Sequence, residues 1–347
     1  MARTEGPLSP ALCRRQFLGA VRDLAHPAIA GAGRWLLSIC LGLLLTSGAP
    51  MQAAPESLPS CTTPLPEEPI TPIPPPPAAD SRKVDLGERL FSDTRLSASG
   101  KLACSSCHDL QANGADRGKE KVPHGDPNIR FNTLSVFNAA LSFRLNWEGN
   151  FRTLADHVES SLENPANLNT SAHDIVARLS ADPAMVERFR AAYGREPDRE
   201  GLLDALVTFE KSLVTPGSRF DRWLGGNMSA LTDQEQDGYR LFKSFGCASC
   251  HQGVNVGGNL MERQGIFREL VAGKPKIVRV PSLRNVATTA PYFHDGSAPT
   301  LGDAIRRMAA AQLDRSLTDQ QVDSLVAFLK TLTGTYQGNP VSAEAQP

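Results

Sequence analysis

The sequence predicts an all-α protein built from two tandem domains. The chain has 347 residues, a length that favours two domains over one. Hydrophobic residues make up 41% of it and aromatic residues only 6%, and no long runs alternate Val, Ile or Thr with polar residues. Such a composition disfavours a β-sandwich or β-barrel. A pattern that occurs once in each half of the chain, described below, indicates that the two domains are similar.

The charge of the chain excludes one class of function. The sequence has 36 Lys and Arg against 37 Asp and Glu, which gives a net charge of −1, and it has no dense cluster of basic residues. Proteins that bind nucleic acid present a strongly basic face to the phosphates. We therefore expect no nucleic-acid partner.

Residues 1–54 are expected to be an export signal with a long leading segment. The apolar run at 35–47 follows Arg34 and precedes small residues. It is too short to span a bilayer comfortably, and its flanks are typical of a signal peptide. Residues 14–18 resemble a twin-arginine signal, although charged residues separate them from the apolar run. An unused upstream start and an uncut anchor helix are left open, and membrane attachment is expected only if this segment is retained.

Residues 55–79 are expected to be a proline-rich linker. Ten prolines fall between Pro55 and Pro77, and such a stretch favours an extended, polyproline-like tether that does not pack. Folded protein is therefore expected to begin near Asp80. Cys61 weakly resembles a lipoprotein acylation site, but it lies too far beyond the apolar run, so we interpret it as incidental.

The most informative motif, C-x-x-C-H, occurs twice. Its residues are Cys104, Cys107 and His108 in the first copy, and Cys247, Cys250 and His251 in the second. This spacing lets two thiols add to the two vinyl groups of one porphyrin, while the adjacent histidine becomes the proximal iron ligand. A redox C-x-x-C or half of a zinc site does not explain why histidine follows directly in both copies. The sequence therefore predicts two covalently bound haem c groups.

The surroundings of the motif also repeat. A segment of the form Gly-x-x-Leu-Phe precedes each copy, at 87–91 and 238–242. Each segment predicts a short helix in which glycine permits a close helix crossing and the Leu-Phe pair enters the core.

Each domain is expected to end in an amphipathic helix. The apolar faces are formed by Leu202, Leu206, Phe209 and Leu213 in the first domain, and by Val322, Leu325, Val326, Leu329 and Leu332 in the second. Thr318 and Gln321 form a capping box at the start of the second of these helices. A terminal helix that crosses an initial helix around a haem is typical of a cytochrome c-like domain. The sequence thus predicts two tandem cytochrome c-like haem domains, at 80–225 and 226–338, followed by a tail at 339–347.

Four longer motifs allow a family to be suggested. They are FNTLSVFNAAL at 131–141, FEKSLVTPGSRFDRWL at 209–224, GYRLFKSFGCASCH at 238–251 and VPSLRNVATTAPYFHDGSAPTL at 280–301. Over about residues 83–334 the chain resembles the bacterial dihaem cytochrome c peroxidases, which share a superfamily with the protein-modifying dihaem enzymes called MauG. The resemblance implies a periplasmic enzyme that reduces hydrogen peroxide with electrons from a small soluble donor, a cytochrome c or a cupredoxin. A homodimer is left open.

The resemblance also implies roles for three residues outside the haem motifs. Met308 matches the sixth iron ligand of the second haem, and a thioether ligand would give that haem a high potential. His124 matches a histidine that caps the first haem in the oxidised state and moves away on reduction of the second. Trp147 matches an indole that carries electrons between the haems. From the residues alone, Met308 is better interpreted as a core methionine, Trp147 can be a core residue as well as an electron carrier, and His124 is equally compatible with an exposed loop.

The distal side of the first haem departs from the family pattern. Where the family has Gln and Glu ten residues apart, this chain has His157 and Asn167. Asn cannot transfer protons near neutral pH, whereas an imidazole can. Three interpretations of His157 stay open: the acid/base for peroxide, an iron ligand that closes the site, or a polar helix residue. Glu159 and Glu163 are possible substitutes for the acid/base.

The resemblance further implies a calcium ion between the domains. Asn132, Thr289 and Pro291 match its ligands, which are an amide side chain and two backbone carbonyls. Three neutral oxygens hold calcium weakly unless waters complete the coordination.

Two other functions are left open. A dihaem electron carrier would follow if His157 or His124 capped the first iron permanently. A MauG-like oxidase of a partner protein is disfavoured by Met308, because those enzymes place a tyrosine there.

Overall fold

The computed structural model describes residues 68–116, 131–273 and 275–344, and the backbone at 122–123 and 130. The expected export signal, the linker up to residue 67 with Cys61, and His124 lie outside the described residues. The described residues all belong to one compact unit, Cys61–Pro347. None of the helices in these ranges is both long and apolar enough to cross a bilayer.

The all-α architecture predicted from the sequence is confirmed, with two short strand pairs between helices and a third after the last helix. The helices are α1 (Ser81–Phe91), α2 (Leu154–Glu163), α3 (Ala172–Ser180), α4 (Pro183–Tyr193), α5 (Arg199–Ser212), α6 (Arg219–Leu224), α7 (Asp233–Ser244), α8 (Leu301–Leu313) and α9 (Asp319–Lys330). The strands are β1 (Val122–Pro123), β2 (Arg130–Phe131), β3 (Met261–Arg263), β4 (Ile277–Arg279), β5 (Thr335–Tyr336) and β6 (Asn339–Pro340). They pair antiparallel as β1–β2, β3–β4 and β5–β6.

The predicted close helix crossings are confirmed in both domains. In the first, α1 crosses α5 at Gly87, where a Cβ atom would lie 2.1 Å from the carbonyl oxygen of Ala205. In the second, α7 crosses α9 at Gly238, where a Cβ atom would lie 2.0 Å from the carbonyl oxygen of Ser324. Only glycine allows the two backbones to approach this closely. The capping box of Thr318 at the start of α9 is also present.

Because backbone blocks the added methyl group, Gly238→Ala should destabilise the protein by about 1–3 kcal/mol, the usual cost of overpacking a well-packed core. Urea unfolding of the haem-loaded protein, followed by circular dichroism, measures this change. Gly302→Ala in α8 is the matched control, because a Cβ atom there would meet Val322 at an ordinary 3.6 Å. The control should leave stability unchanged or raise it slightly, since alanine favours the helix. Equal loss in both variants would contradict the close crossing.

Each domain has its own apolar core around its crossing. In the first, the fully buried rings of Phe91 and Phe209 meet edge to face with centroids 5.4 Å apart. In the second, the ring of Phe328 lies 5.2 Å from both Phe220 and Phe242. Phe91, Phe209, Phe242 and Phe328 lie on the helices that the sequence assigned to the cores, whereas Phe220 lies on α6, which it did not.

The linker prediction is wrong for residues 68–73, which pack against the second domain. Ile70 and Ile73 are buried, with 1% and 5% of their surface exposed. The carbonyl of Pro69 accepts a hydrogen bond of 2.8 Å from the amide of Gly253. A proline-rich backbone donates few hydrogen bonds but still accepts them, as the carbonyl of Thr71 does from Arg284, and the two isoleucines add buried apolar surface. Folded protein therefore begins well before Asp80.

The C-terminal segment, which follows the second domain, packs against the first domain. The strand pair β5–β6 is followed by Val341, which is 5% exposed within the first-domain core. The ring of Tyr336 lies 4.9 Å from that of Phe137. The prediction of a tail is thus wrong for residues 339–341, because a single buried valine after a tight turn carries no periodicity that a sequence can reveal.

Candidate haem and peroxide site

A cavity of about 690 Å³ extends through both domains. Its part around Cys104, Cys107 and His108 is called the first pocket, and its part around Cys247 and His251 the second pocket. Cys250 is half-buried at the end of the turn Cys247–Ser249. Phe91 and Phe242 line the cavity at matching places, each with its ring centroid 6.4 Å from that of the histidine in its pocket.

Both motif histidines are oriented by the backbone. Nδ1 of His108 donates to the carbonyl of Gly114 at 3.0 Å, and Nδ1 of His251 donates to the carbonyl of Val256 at 3.3 Å. This arrangement leaves Nε2 of each ring available to bind a metal. Burial lowers the pKa of both rings, that of His251 to about 4, so both are neutral near pH 7. A neutral imidazole is the form that ligates iron.

The four motif cysteines form no disulfide bond with one another. Cys104 and Cys247 each begin a short 3₁₀ turn, and their partners in the motif end these turns. Burial raises the pKa of Cys104 to about 12 and that of Cys247 to about 11. A large cavity, two thiols at each motif and a histidine with one free nitrogen together fit covalently attached haem.

Helix α2 forms the distal wall of the first pocket. Thr153 caps the helix, and His157 and Ser161 line the cavity one turn apart. The ring of His157 meets that of Phe151 edge to face at 5.4 Å. Burial, together with the cationic forms of His108 and Arg279, lowers the pKa of His157 to about 4. His157 is therefore neutral near pH 7 and can accept a proton.

Of the other distal residues suggested by the sequence, the structure places only Asn167 at the cavity. Glu159 lies on a different face of α2, where it forms an ion pair with Arg199 at 2.7 Å. Glu163 is exposed and does not line the cavity. The hypothesis that either glutamate replaces the acid/base is therefore wrong for this structure, because positions two and six residues after His157 do not share its helix face.

Helix α8 forms the corresponding wall of the second pocket. Leu301, Ala304, Ile305 and Met308 line the cavity. Met308 is half-buried and also packs against Leu270, Val271 and Ala311. Its position is compatible with an iron ligand and with an apolar wall residue.

Trp147 lies where the two domains meet. Its side chain is 8% exposed, and Nε1 donates to the carbonyl of Asn132 at 2.7 Å. Its ring centroid lies 6.3 Å from that of His294 in the second domain. Trp147 also lines the cavity.

The residues suggested for calcium lie together at the same boundary. Asn132, Thr289 and Pro291 all line the cavity. The amide of Asn132 donates to the carbonyl of Pro291 at 2.6 Å, so two of the suggested oxygen-bearing groups are neighbours. No cluster of three acidic, histidine or cysteine residues that could hold a metal occurs among the described residues. The donor set is neutral, as a weak calcium site would be.

Comparison with known proteins decides the family. Residues 81–229 match the family model of di-haem cytochrome c peroxidase, and residues 225–333 match that of cytochrome c. The chain is 36% identical over 315 residues to the cytochrome c551 peroxidase of Nitrosomonas europaea, covering 86% of this chain and 90% of that protein. The chain belongs to the di-haem cytochrome c peroxidase family.

Two further relatives agree with this family. The chain is 39% identical over 287 residues to the cytochrome c peroxidase Ccp of Escherichia coli K12, covering 78% of this chain and 62% of that protein. The crystal structure of a MauG-like protein associated with microbial copper homeostasis is 28% identical, with a TM-score of 0.62 over 76% of this chain and 93% of that one. The predicted pair of cytochrome c-like haem domains is confirmed. A member of this family carries haem c, reduces peroxide and takes electrons from a cytochrome-type donor.

Two residues at the cavity of this peroxidase were missed by the sequence analysis. Glu210 lines the cavity, and burial raises its pKa to about 8, so its carboxyl group is largely neutral near pH 7. It lies on the apolar stripe of α5 between Leu206 and Leu213, and a charged residue in such a stripe is a signal that could have found it.

The second missed residue, Arg279, belongs to the second domain. It is 6% exposed and lines the cavity, and its Nε donates to the carbonyl of Asn146 in the first domain at 2.8 Å. Burial lowers its pKa to about 10, which still leaves it cationic. Nothing in the local sequence around a short strand distinguishes this arginine from an exposed one.

Proposed function

We propose that the protein is a periplasmic peroxidase that reduces hydrogen peroxide in the first pocket and receives electrons from a small donor protein through the second. The observation that carries this proposal is the difference between the two distal walls. The first presents the proton-accepting side chain of His157, and the second presents the thioether of Met308. When bound, haem c supplies iron that exchanges electrons with peroxide and with the donor.

In this proposal, His157 moves the proton that the reaction requires. With haem c bound, its neutral imidazole would accept a proton from one peroxide oxygen and return it to the other, the O–O bond would break with loss of that oxygen as water, and the two electrons for this cleavage would come from the haems. The lowered pKa supports this role, since the ring is unprotonated and ready to accept at neutral pH. Asn167 orients the substrate by hydrogen bonding, because its amide cannot exchange protons.

Trp147 provides the route for electrons between the pockets. Its burial at the domain boundary and its closeness to His294 support this role. The hydrogen bond from Nε1 to the carbonyl of Asn132 restrains the orientation of the indole ring.

Calcium binding at Asn132, Thr289 and Pro291 is part of the proposal. An ion there would bridge a residue of the first domain to two of the second and would hold Trp147 in place, because the carbonyl of Asn132 is the acceptor for the indole. Turning the amide of Asn132 by 180° would present its oxygen to the ion. Export to the periplasm is supported by the apolar run at 35–47.

The proposal is tested with half-reduced protein in the presence of calcium. With the second haem reduced, the ferric first haem should be high-spin and should bind cyanide, as read by electron paramagnetic resonance and visible spectra. The fully oxidised protein is the control, and a lower extent of cyanide binding there would agree with capping by His124. Low-spin signals from both haems in the half-reduced state would contradict a peroxide site in the first pocket.

A further inference from the structure

An internal repeat relates the two distal walls residue by residue. Residues 131–162 align with 278–309 at a constant offset of 147 and without a gap. Asn138 and Asn285, which this offset pairs, both adopt a left-handed conformation, with φ of 62° and 59°, before a short 3₁₀ turn. Because both asparagines have the same unusual backbone conformation, the offset of 147 relates the two segments in structure as well as in sequence.

Hydrogen bonds across the domain boundary obey the same offset. The backbone N–H of Asn132 donates to the backbone carbonyl of His294 at 2.6 Å, and the backbone N–H of Arg279 donates to the backbone carbonyl of Trp147 at 2.7 Å. The offset converts Asn132 to Arg279 and Trp147 to His294, so each bond is the counterpart of the other. Reciprocal contacts of this kind are typical of two-fold related units. The two domains are therefore related by approximate two-fold symmetry at this boundary.

The repeat continues through the two wall helices. Thr153 and Thr300 cap α2 and α8 in the same way, each accepting from the amide three residues later and donating to that residue's aspartate side chain. Five cavity-lining positions are shared by the two helices, whereas Ser160 lines the cavity and its counterpart, Arg307, does not. The shared positions are Leu154, His157, Val158, Ser161 and Leu162 in α2, and Leu301, Ala304, Ile305, Met308 and Ala309 in α8. The counterpart of Met308 is thus Ser161, and the counterpart of His157 is Ala304.

We propose that Ser161 occupies the sixth-ligand position of the first pocket, and that its short side chain is what keeps this position open for peroxide. This inference rests on the proposed function, in which Met308 ligates the second haem. The hydroxyl of Ser161 donates to the carbonyl of His157 at 2.9 Å, so it is held against its own helix. A methionine extends further from Cβ than a serine does, and Met308 shows that the wall accommodates it in the second pocket.

The two wall helices also differ at a second pair of matching positions, His157 in α2 and Ala304 in α8. His157 lies one turn before Ser161, whereas Ala304 lies one turn before Met308. The first pocket thus combines a proton-accepting group with a short residue at the ligand position. The second combines a ligand with a small apolar residue. Two substitutions in one helix suffice to distinguish a substrate site from an electron-accepting site.

The variant Ser161→Met tests this inference directly. In half-reduced protein with calcium, the ferric first haem should change from high-spin to low-spin and should lose cyanide binding. Ser160→Met is the matched control, because Ser160 also lines the cavity but its counterpart, Arg307, does not line it and donates to the carbonyl of Leu270. The control should keep a high-spin first haem that binds cyanide.

A Ser161→Met protein that stays high-spin and binds cyanide as the parent does would overturn the inference, and so would a low-spin haem in Ser160→Met. If Ser161→Met does not fold, Ser161→His serves instead, since imidazole is also a strong haem ligand, and the same two outcomes decide. Failure of the proposed function has a different signature. In that case the parent protein itself would not bind cyanide at the first haem, and Ser161→Met would leave its spectrum unchanged.

Discussion

Replacing His157 with alanine should slow peroxide reduction by about 10²–10⁴-fold, the usual contribution of a positioned proton-transfer group. The haem spectra should be largely unchanged, because the side chain lies on the wall of the cavity and does not orient either proximal histidine. Stopped-flow mixing of half-reduced protein with hydrogen peroxide measures the rate. His157→Gln is the matched variant: its amide can form hydrogen bonds but cannot transfer protons, so it should recover little of the lost rate.

The pH dependence of the parent protein provides an independent readout. An imidazole is neutral above its pKa and cationic below it, and burial places the pKa of His157 at about 4. The rate should therefore stay constant from neutral pH down to about pH 5 and fall as the pH approaches 4. A change of less than about threefold in His157→Ala would remove His157 from the mechanism. Conversion of a low-spin first haem to high-spin, with a faster reaction, would identify His157 as an iron ligand.

Replacing Met308 with leucine should lower the reduction potential of the second haem by on the order of 0.1 V or more, since axial ligands set haem potentials over a range of roughly 0.8 V. Leucine keeps the apolar contacts with Leu270 and Ala311 but removes the thioether, which favours ferrous iron. Electron transfer from a cytochrome donor to the second haem should also become slower, because a lower potential reduces the driving force. Spectroelectrochemical titration of both haems measures the change.

Met185→Leu is the matched control for this change. Met185 is 6% exposed in the core of the first domain and does not line the cavity. Its replacement should leave both potentials unaltered. An unchanged potential in Met308→Leu would show that Met308 is only an apolar wall residue, the other interpretation that its position permits.

The features that sequence alone predicted are those that depend on short, local rules. The attachment motif has a fixed spacing, the helix faces repeat every three to four residues, and glycine at a crossing is recognisable by its place before a Leu-Phe pair. Gly87 and Gly238 therefore lie where expected. The segment at 68–73 was missed because its burial depends on a surface supplied by residues far along the chain, and proline-rich composition normally indicates an unpacked stretch.

For the candidate site, sequence placed His157, Trp147 and Met308 at the cavity but could not decide which face of a helix points into it. The helix register excluded Glu159 and Glu163 and brought in Ser161. Arg279 was not foreseeable, because a buried cation on a two-domain boundary leaves no local pattern. The internal repeat that identifies Ser161 was present in the sequence. Its few identical residues became convincing only with the matching backbone conformations and hydrogen bonds.

The segments around Ile70 and Val341 each pack on the domain more distant in sequence, which has a consequence for the order of folding. Val341 belongs to the core of the first domain, so the last contacts of that core can form only after nearly the whole chain has been synthesised. Ile70, by contrast, emerges early and must wait for the second domain before it can be buried. The final packing of both domains is therefore expected late in folding, because each core needs a segment that lies far away along the chain.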